Sequence, residues 1–208
     1  MAKLALNKTT LNREGRKLKS FRQFVPALDL KRKQLLSARQ ETRKSLEQTE
    51  QLLADLQQEV ADQLPMLANS DVELASLLQI RTCDVGYINL VGLELPELRQ
   101  FEVELAQYSR LLYPHWVDVL LDLQQRALKA EIEIQIYRQR LALLEEGLQK
   151  TTQRLNLFDK VLIPQARANI RKIQIALSDA ERAGVVRAKI AKNKRAKLAA
   201  VQLRRGTL

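Results

Sequence analysis

Between Pro26 and Pro65 the chain contains neither proline nor glycine, and its apolar residues return every seven positions. Leu46, Leu53, Val60 and Leu67 form one row, and Thr49 and Leu56 sit three residues after its first two members. Leu52 and Leu64 widen the stripe, and Glu, Gln, Lys and Arg fill the positions between. Two rows offset in this way are the a and d positions of a helix that buries one stripe against another helix. Upstream, Leu11, Leu18 and Val25 keep the period, as do Phe21, Leu28 and Leu35. The pattern predicts one helix from about residue 9 to about residue 67. Pro26 removes an N–H and crowds the preceding turn, which predicts a kink near Phe24 and Val25.

The second half repeats the theme. Leu141, Leu148, Leu155 and Leu162 recur at seven, with Leu144, Thr151 and Phe158 three residues on. The seam then steps through Ala166, Ile170, Ile173, Leu177 and Ala180, taking four-residue steps more than once. Such a stutter locally unwinds a left-handed supercoil, and here it falls beside Pro164. The pattern predicts a second helix from about residue 115 to about residue 200, bent near Pro164. At a rise of about 1.5 Å per residue, helices of roughly 60 to 85 residues would be about 90 to 125 Å long. Neither could stand alone on one apolar stripe, so each needs a partner, and the other arm of the chain is the simplest one. An antiparallel pair joined by residues 70–114 sets both termini at the same end.

Residues 80–98, IRTCDVGYINLVGLELPEL, break the helical pattern. Their Ile, Val, Leu, Thr and Tyr content, with Gly86 and Gly92, predicts a short β-hairpin turning at Asn89 to Gly92 and closed by Pro96. Residues 99–113 are expected to add a short amphipathic helix. The expected fold class is therefore all-α. A long antiparallel two-helix coiled coil of the N- and C-terminal helices carries a short central helical segment and a small β-hairpin, in a single elongated domain over residues 1–208.

Composition agrees: aromatics are 4%, with six Gly and five Pro, the balance of long helices. The formal net charge is +11, and its distribution is informative. Residues 1–44 carry 13 Lys/Arg against 3 Asp/Glu, and residues 182–208 carry 9 Lys/Arg and no acid. Residues 45–181 carry 13 basic against 21 acidic residues. Basic ends face an acidic partner, nucleic acid or an anionic membrane. Cys83 is the one cysteine, so no internal disulfide forms, as expected of a reducing, intracellular setting. No run of about 18 or more apolar residues exists to span a membrane, and the first residues lack a signal core.

The residue types that carry catalysis are sparse. No glycine-rich phosphate loop or dinucleotide turn is present. One His and one Cys do not build a zinc site, and His115, in YPHW, reads as an early helix residue. No catalytic, cofactor-binding or metal site is expected. The tail Arg187, Lys189, Lys192, Lys194, Arg195 and Lys197, interleaved with Ala, is the candidate partner-binding segment. It could grip phosphates, which leaves a basic coiled-coil nucleic-acid-associated protein as the alternative. It brings no aromatics to stack bases. The expected helix–helix seam comprises Leu46, Leu53, Leu56, Val60, Leu141, Leu148, Leu155, Phe158, Ile170, Ile173 and Leu177.

Residues 154–194 resemble the C-terminal helix of the D subunit of the V-type and A-type rotary ATPases. The matching features are Arg154 and Asn156, the apolar stretch Val161 to Pro164, Ile170 with Ile173, and Leu177 with Glu181 and Arg182, followed by the basic tail. Asn7, Thr10, Leu11 and Leu18 resemble that family's start. Leu30, Lys31, Arg32, Lys33 and Leu35 resemble its Leu-Lys-x-Lys-Arg element, and INLVGLELPEL, residues 88–98, its hairpin. Where the family usually has a Gly-His pair, this chain reads PALDLKRK with Pro26. The resemblance covers essentially the whole chain. It implies a non-catalytic rotor axle whose partners are the F subunit, the catalytic A and B subunits and a membrane-rotor adaptor subunit, with no nucleic acid. It also implies a cytoplasmic location, peripheral to the membrane.

Overall fold

A computed structural model of the chain describes residues 4–69, 77–106 and 113–205. The elements run α1 (Lys8–Gln63), a short 3-10 turn (Pro65–Asn69), β1 (Leu78–Leu90), β2 (Leu93–Leu105), α2 (Trp116–Asn156), a π-helical segment (Leu157–Leu162) and α3 (Ile163–Arg205). The fold is mostly helical with one small antiparallel sheet. The chain divides into two compact units, residues 29–153 and residues 1–28 with 154–208.

Local chemistry sets the helix ends. Asn7 caps α1, its side-chain oxygen accepting the Thr10 N–H at 2.7 Å. α1 runs without interruption through Pro26. It stops before Pro65, because the residue ahead of a proline is pushed out of helical backbone. Pro114 precedes α2, and its carbonyl accepts the Val117 N–H at 3.1 Å. The continuous second helix expected over residues 115–200 is instead α2 and α3 joined through the π-helical segment. The Ile163 N–H bonds back to the Phe158 carbonyl, five residues earlier. The reason lies in the spacing of buried positions. Thr151 and Ile163 are both buried, with Leu155 half-buried between them. Those steps average four residues per turn against about 3.6 for an α-helix, and a wide turn absorbs the surplus.

In the unit of residues 29–153, β1 and β2 pair as an antiparallel hairpin. Its two-residue turn has φ of 54° at Val91 and 76° at Gly92, a combination that matches the twist of the flanking strands. A β-branched residue is strained there. The Asn89 side chain supports the turn by accepting the Gly92 N–H at 2.8 Å.

Two expectations for this region fail. Pro96 does not close the second strand, which continues to Leu105. In a two-stranded sheet every strand is an edge, so a missing N–H can face outward at no cost to the ladder. Residues 99–105 are strand rather than helix, and residues 107–112 of the expected helix lie outside the described residues. The spacing of Leu98, Phe101 and Leu105 mimics a helical face. It arises from a β-bulge: Val85 pairs with Leu98 and Asp84 with Gln100, which leaves Arg99 as the extra residue. The Arg99 side chain crosses Gly86 and occupies the space a Cβ would take, so a larger residue there would require the arginine to move aside.

Two apolar clusters hold this unit. Leu56, Leu64, Leu77, Trp116, Val117, Leu120, Leu121 and Leu123 form one. Leu35 from α1, Leu95 from β2 and Leu144 from α2, each fully buried, form the other. Leu93 approaches Gly147 so closely that a Cβ there would sit 3.2 Å from its methyl group. In the unit of residues 1–28 and 154–208, the buried side chains among the described residues are fewer: Thr10, Glu14, Ile163, Ala166 and Ile173.

Candidate functional site

The expected seam residues fall into layers of unequal depth. Leu56 and Ile173 are buried. Leu46, Leu53, Val60, Leu141, Leu148, Leu155, Phe158, Ile170 and Leu177 are half-buried. The deepest row of α1 in the unit of residues 29–153 is Leu35, Thr42, Thr49 and Leu56, itself a heptad series. The heptad rows read from the sequence included Leu35, Thr49 and Leu56 but not Thr42, which lies between them in the same series. The buried hydroxyls are satisfied inside their own helices. Thr42 donates to the Ala38 carbonyl and Thr49 to that of Ser45, both at 2.8 Å, and Thr151 to that of Gly147 at 2.7 Å. Each therefore packs as a small side chain with no polar demand on its neighbour. Arg138 of α2 donates to Glu50 of α1 at 2.8 Å, an exposed ion pair.

In the other unit, Phe158 lies in the π-helical segment and meets two aromatic rings of α1. Its ring centroid is 5.5 Å from Phe21, edge-on, and 6.2 Å from Phe24. Glu14 was not foreseen as a buried residue. Its carboxylate accepts from Lys17 Nζ at 2.9 Å and from Asn169 Nδ2 of α3 at 3.3 Å. The hydrogen bond from Lys17 holds its pKa below the ordinary 4.5, against the opposing effect of burial, with help from Asn169 and the nearby Arg13.

The candidate partner-binding residues all lie on α3. Arg187, Lys189, Lys192, Lys194, Arg195 and Lys197 are exposed, as are Val185, Val186 and Ile190 beside them. At about 100° per residue, the six charges leave no gap wider than about 80° around the helix axis. The segment is a basic sleeve, positive on every side. The contrast extends to the whole unit. Residues 1–28 with 154–208 carry 21 Lys/Arg against 4 Asp/Glu, a net of +17. Residues 29–153 carry 14 against 20, a net of −6. Among the described residues, no group of three or more His, Cys, Asp or Glu could hold a metal ion. Nor is any helix among them long and apolar enough to cross a membrane.

Residues 10–193 match the family model of the ATP synthase D subunit. The V-type ATP synthase D subunit of Borreliella burgdorferi is 32% identical over 195 residues, covering 93% of this chain and 95% of that protein. The V-type ATP synthase D subunit of Chlamydia muridarum is 31% identical over 199 residues, covering 93% and 96%. That of Chlamydia pneumoniae is 28% identical over 192 residues, covering 91% of each.

Proposed function

The chain belongs to the ATP synthase D-subunit family, and on that premise we propose that it is the central rotor-stalk subunit of a V-type or A-type ATPase. In this reading it transmits rotation between a ring of catalytic A and B subunits and the membrane ion-translocating rotor. It binds the F subunit and a membrane-rotor adaptor subunit, and it stays peripheral to the membrane. The nucleotide chemistry belongs to the ring, and this chain contributes none.

The observation that carries the reading is the basic sleeve of α3. A helix lying along nucleic acid or on a membrane presents charge on one face. A helix enclosed by protein meets partners on every side, and the charge here runs all the way round. Exposed ion pairs are each worth under about 1 kcal/mol, so such a surface can turn against acidic neighbours without locking in one pose. The pairing of α1 with α2 and α3 as an antiparallel coiled coil belongs to the same proposal. The Glu50–Arg138 and Glu14–Asn169 contacts, one in each unit, support it.

Reconstitution tests the reading. The chain should co-purify with the F subunit and with the A and B subunits, and it should restore ATP-driven rotation to a ring that lacks its stalk. Deleting residues 195–208 should weaken assembly with the ring while the remaining chain stays folded. A pure chain that binds neither F nor A and B overturns the proposal. DNA binding that falls steeply with salt, in a chain without those partners, would establish the nucleic-acid reading instead.

A further inference from the structure

From Ile163 onward, α3 offers an apolar residue at nearly every turn: Ile163, Ala166, Ile170, Ile173 and Leu177. A ladder of this kind buries a comparable amount when displaced by one turn along its neighbour. Apolar burial alone therefore does not select one axial setting of α3 against α1. Directional polar groups inside such a seam do, because they are satisfied in only one setting.

Glu14 is such a group. It is 5% exposed, in a stripe of α1 that also includes Thr10, Leu11, Leu18 and Phe21. Its carboxylate takes one hydrogen bond from Lys17 and one from Asn169 across the helix pair. Lys17 and Arg13 ride on the same helix as Glu14 and accompany it in any setting. Asn169 does not. One turn to either side of Asn169, on the buried face of α3, stand Ala166, 3% exposed, and Ile173, fully buried, and neither has a side-chain donor; Gln165 and Lys172, also one turn away, are exposed. Displacement by a turn that keeps the apolar ladder in the seam brings Ala166 or Ile173 to Glu14 and removes the one hydrogen bond its carboxylate takes from α3, which is disfavoured.

We propose that Glu14 and Asn169 form a register pin, a positioning pair that fixes the axial setting of α3 against α1 in the unit of residues 1–28 and 154–208. The role belongs to the chain itself and does not depend on whether it turns inside a catalytic ring.

The test uses the full chain in a Cys83→Ser background, with spin labels at Arg22→Cys and Gln174→Cys, both exposed positions. Dipolar spectroscopy reads the distance between the labels. The parent should give one narrow distance. Asn169→Leu and Glu14→Leu should each add a second population, displaced by about 5 Å, one helical turn. Glu14→Leu should do so without lowering the melting temperature, because it completes the apolar stripe. Glu14→Gln should restore the single distance, since an amide still accepts from Asn169. Should Asn169→Leu fail to fold, Glu14→Leu decides alone. One unchanged narrow distance in Glu14→Leu, or two distances in the parent, overturns the pin.

Discussion

In the unit of residues 29–153, three elements converge on fully buried side chains: Leu35 from α1, Leu95 from β2 and Leu144 from α2. A second cluster gathers around Trp116 and Val117. In the unit of residues 1–28 and 154–208, two helical segments share a thin stripe, and among its described residues none beyond Ile173 is buried. The first unit has a third element, the hairpin, to cover helix surface, and carries a net charge of −6. The second has no such cover and carries +17. The comparison teaches where stability comes from in each. One unit is held by its own core, whereas the other has a thinner buried stripe and leaves Val185, Val186 and Ile190 exposed.

The sharpest way to break that contrast is to hollow each unit in turn. Leu144→Ala should cost about 2–5 kcal/mol, read as a lower urea midpoint for the whole of residues 29–153. Ile173→Ala removes a comparable side chain, but hydrogen exchange should show the loss confined to residues 1–28 and 154–208, with amides around Leu35 and Leu95 still protected. Equal deprotection of both units would show that they fold as one. Glu14→Gln probes the polar side of the thinner stripe. The folded carboxylate titrates below 4.5, so its contribution is present above pH 4.5 and disappears as pH falls through the lower folded value. The variant should lose about 1–2 kcal/mol at neutral pH and show a flatter acid limb in a thermal melt. Val91→Asn should raise stability by about 1 kcal/mol, because asparagine tolerates the positive φ of the hairpin turn. Arg138→Ala should change unfolding free energy by less than about 1 kcal/mol, its ion pair with Glu50 being exposed.

Much of this architecture was legible from the residues. The heptad rows located α1 and the helices beyond residue 115, and Gly92 located the hairpin turn. What escaped has physical causes. A bulge at Arg99 gave Leu98, Phe101 and Leu105 the spacing of a helix, although Phe101, Val103 and Leu105 also alternate as a strand does. Pro96 misled, since it sits within β2 rather than ending it, whereas Pro26 sits inside one long α1 as expected. The stutter near Pro164 was visible as spacing, but spacing does not distinguish a bend from the wide turn that precedes the proline. Of the candidate site, the basic tail was plain in the sequence. The buried setting of Glu14 was not, because a carboxylate flanked by Arg13 and Lys17 reads as one more solvated charge.

The wide turn at Leu157–Leu162 has an evolutionary consequence. A helix that gains one residue would ordinarily rotate everything downstream by about 100° and spoil every later contact. A π turn takes up such an insertion by widening locally. Length changes of one residue among descendants of this chain should therefore collect between Asn156 and Pro164, where an indel is neutral, and be purged from the rest of the helix.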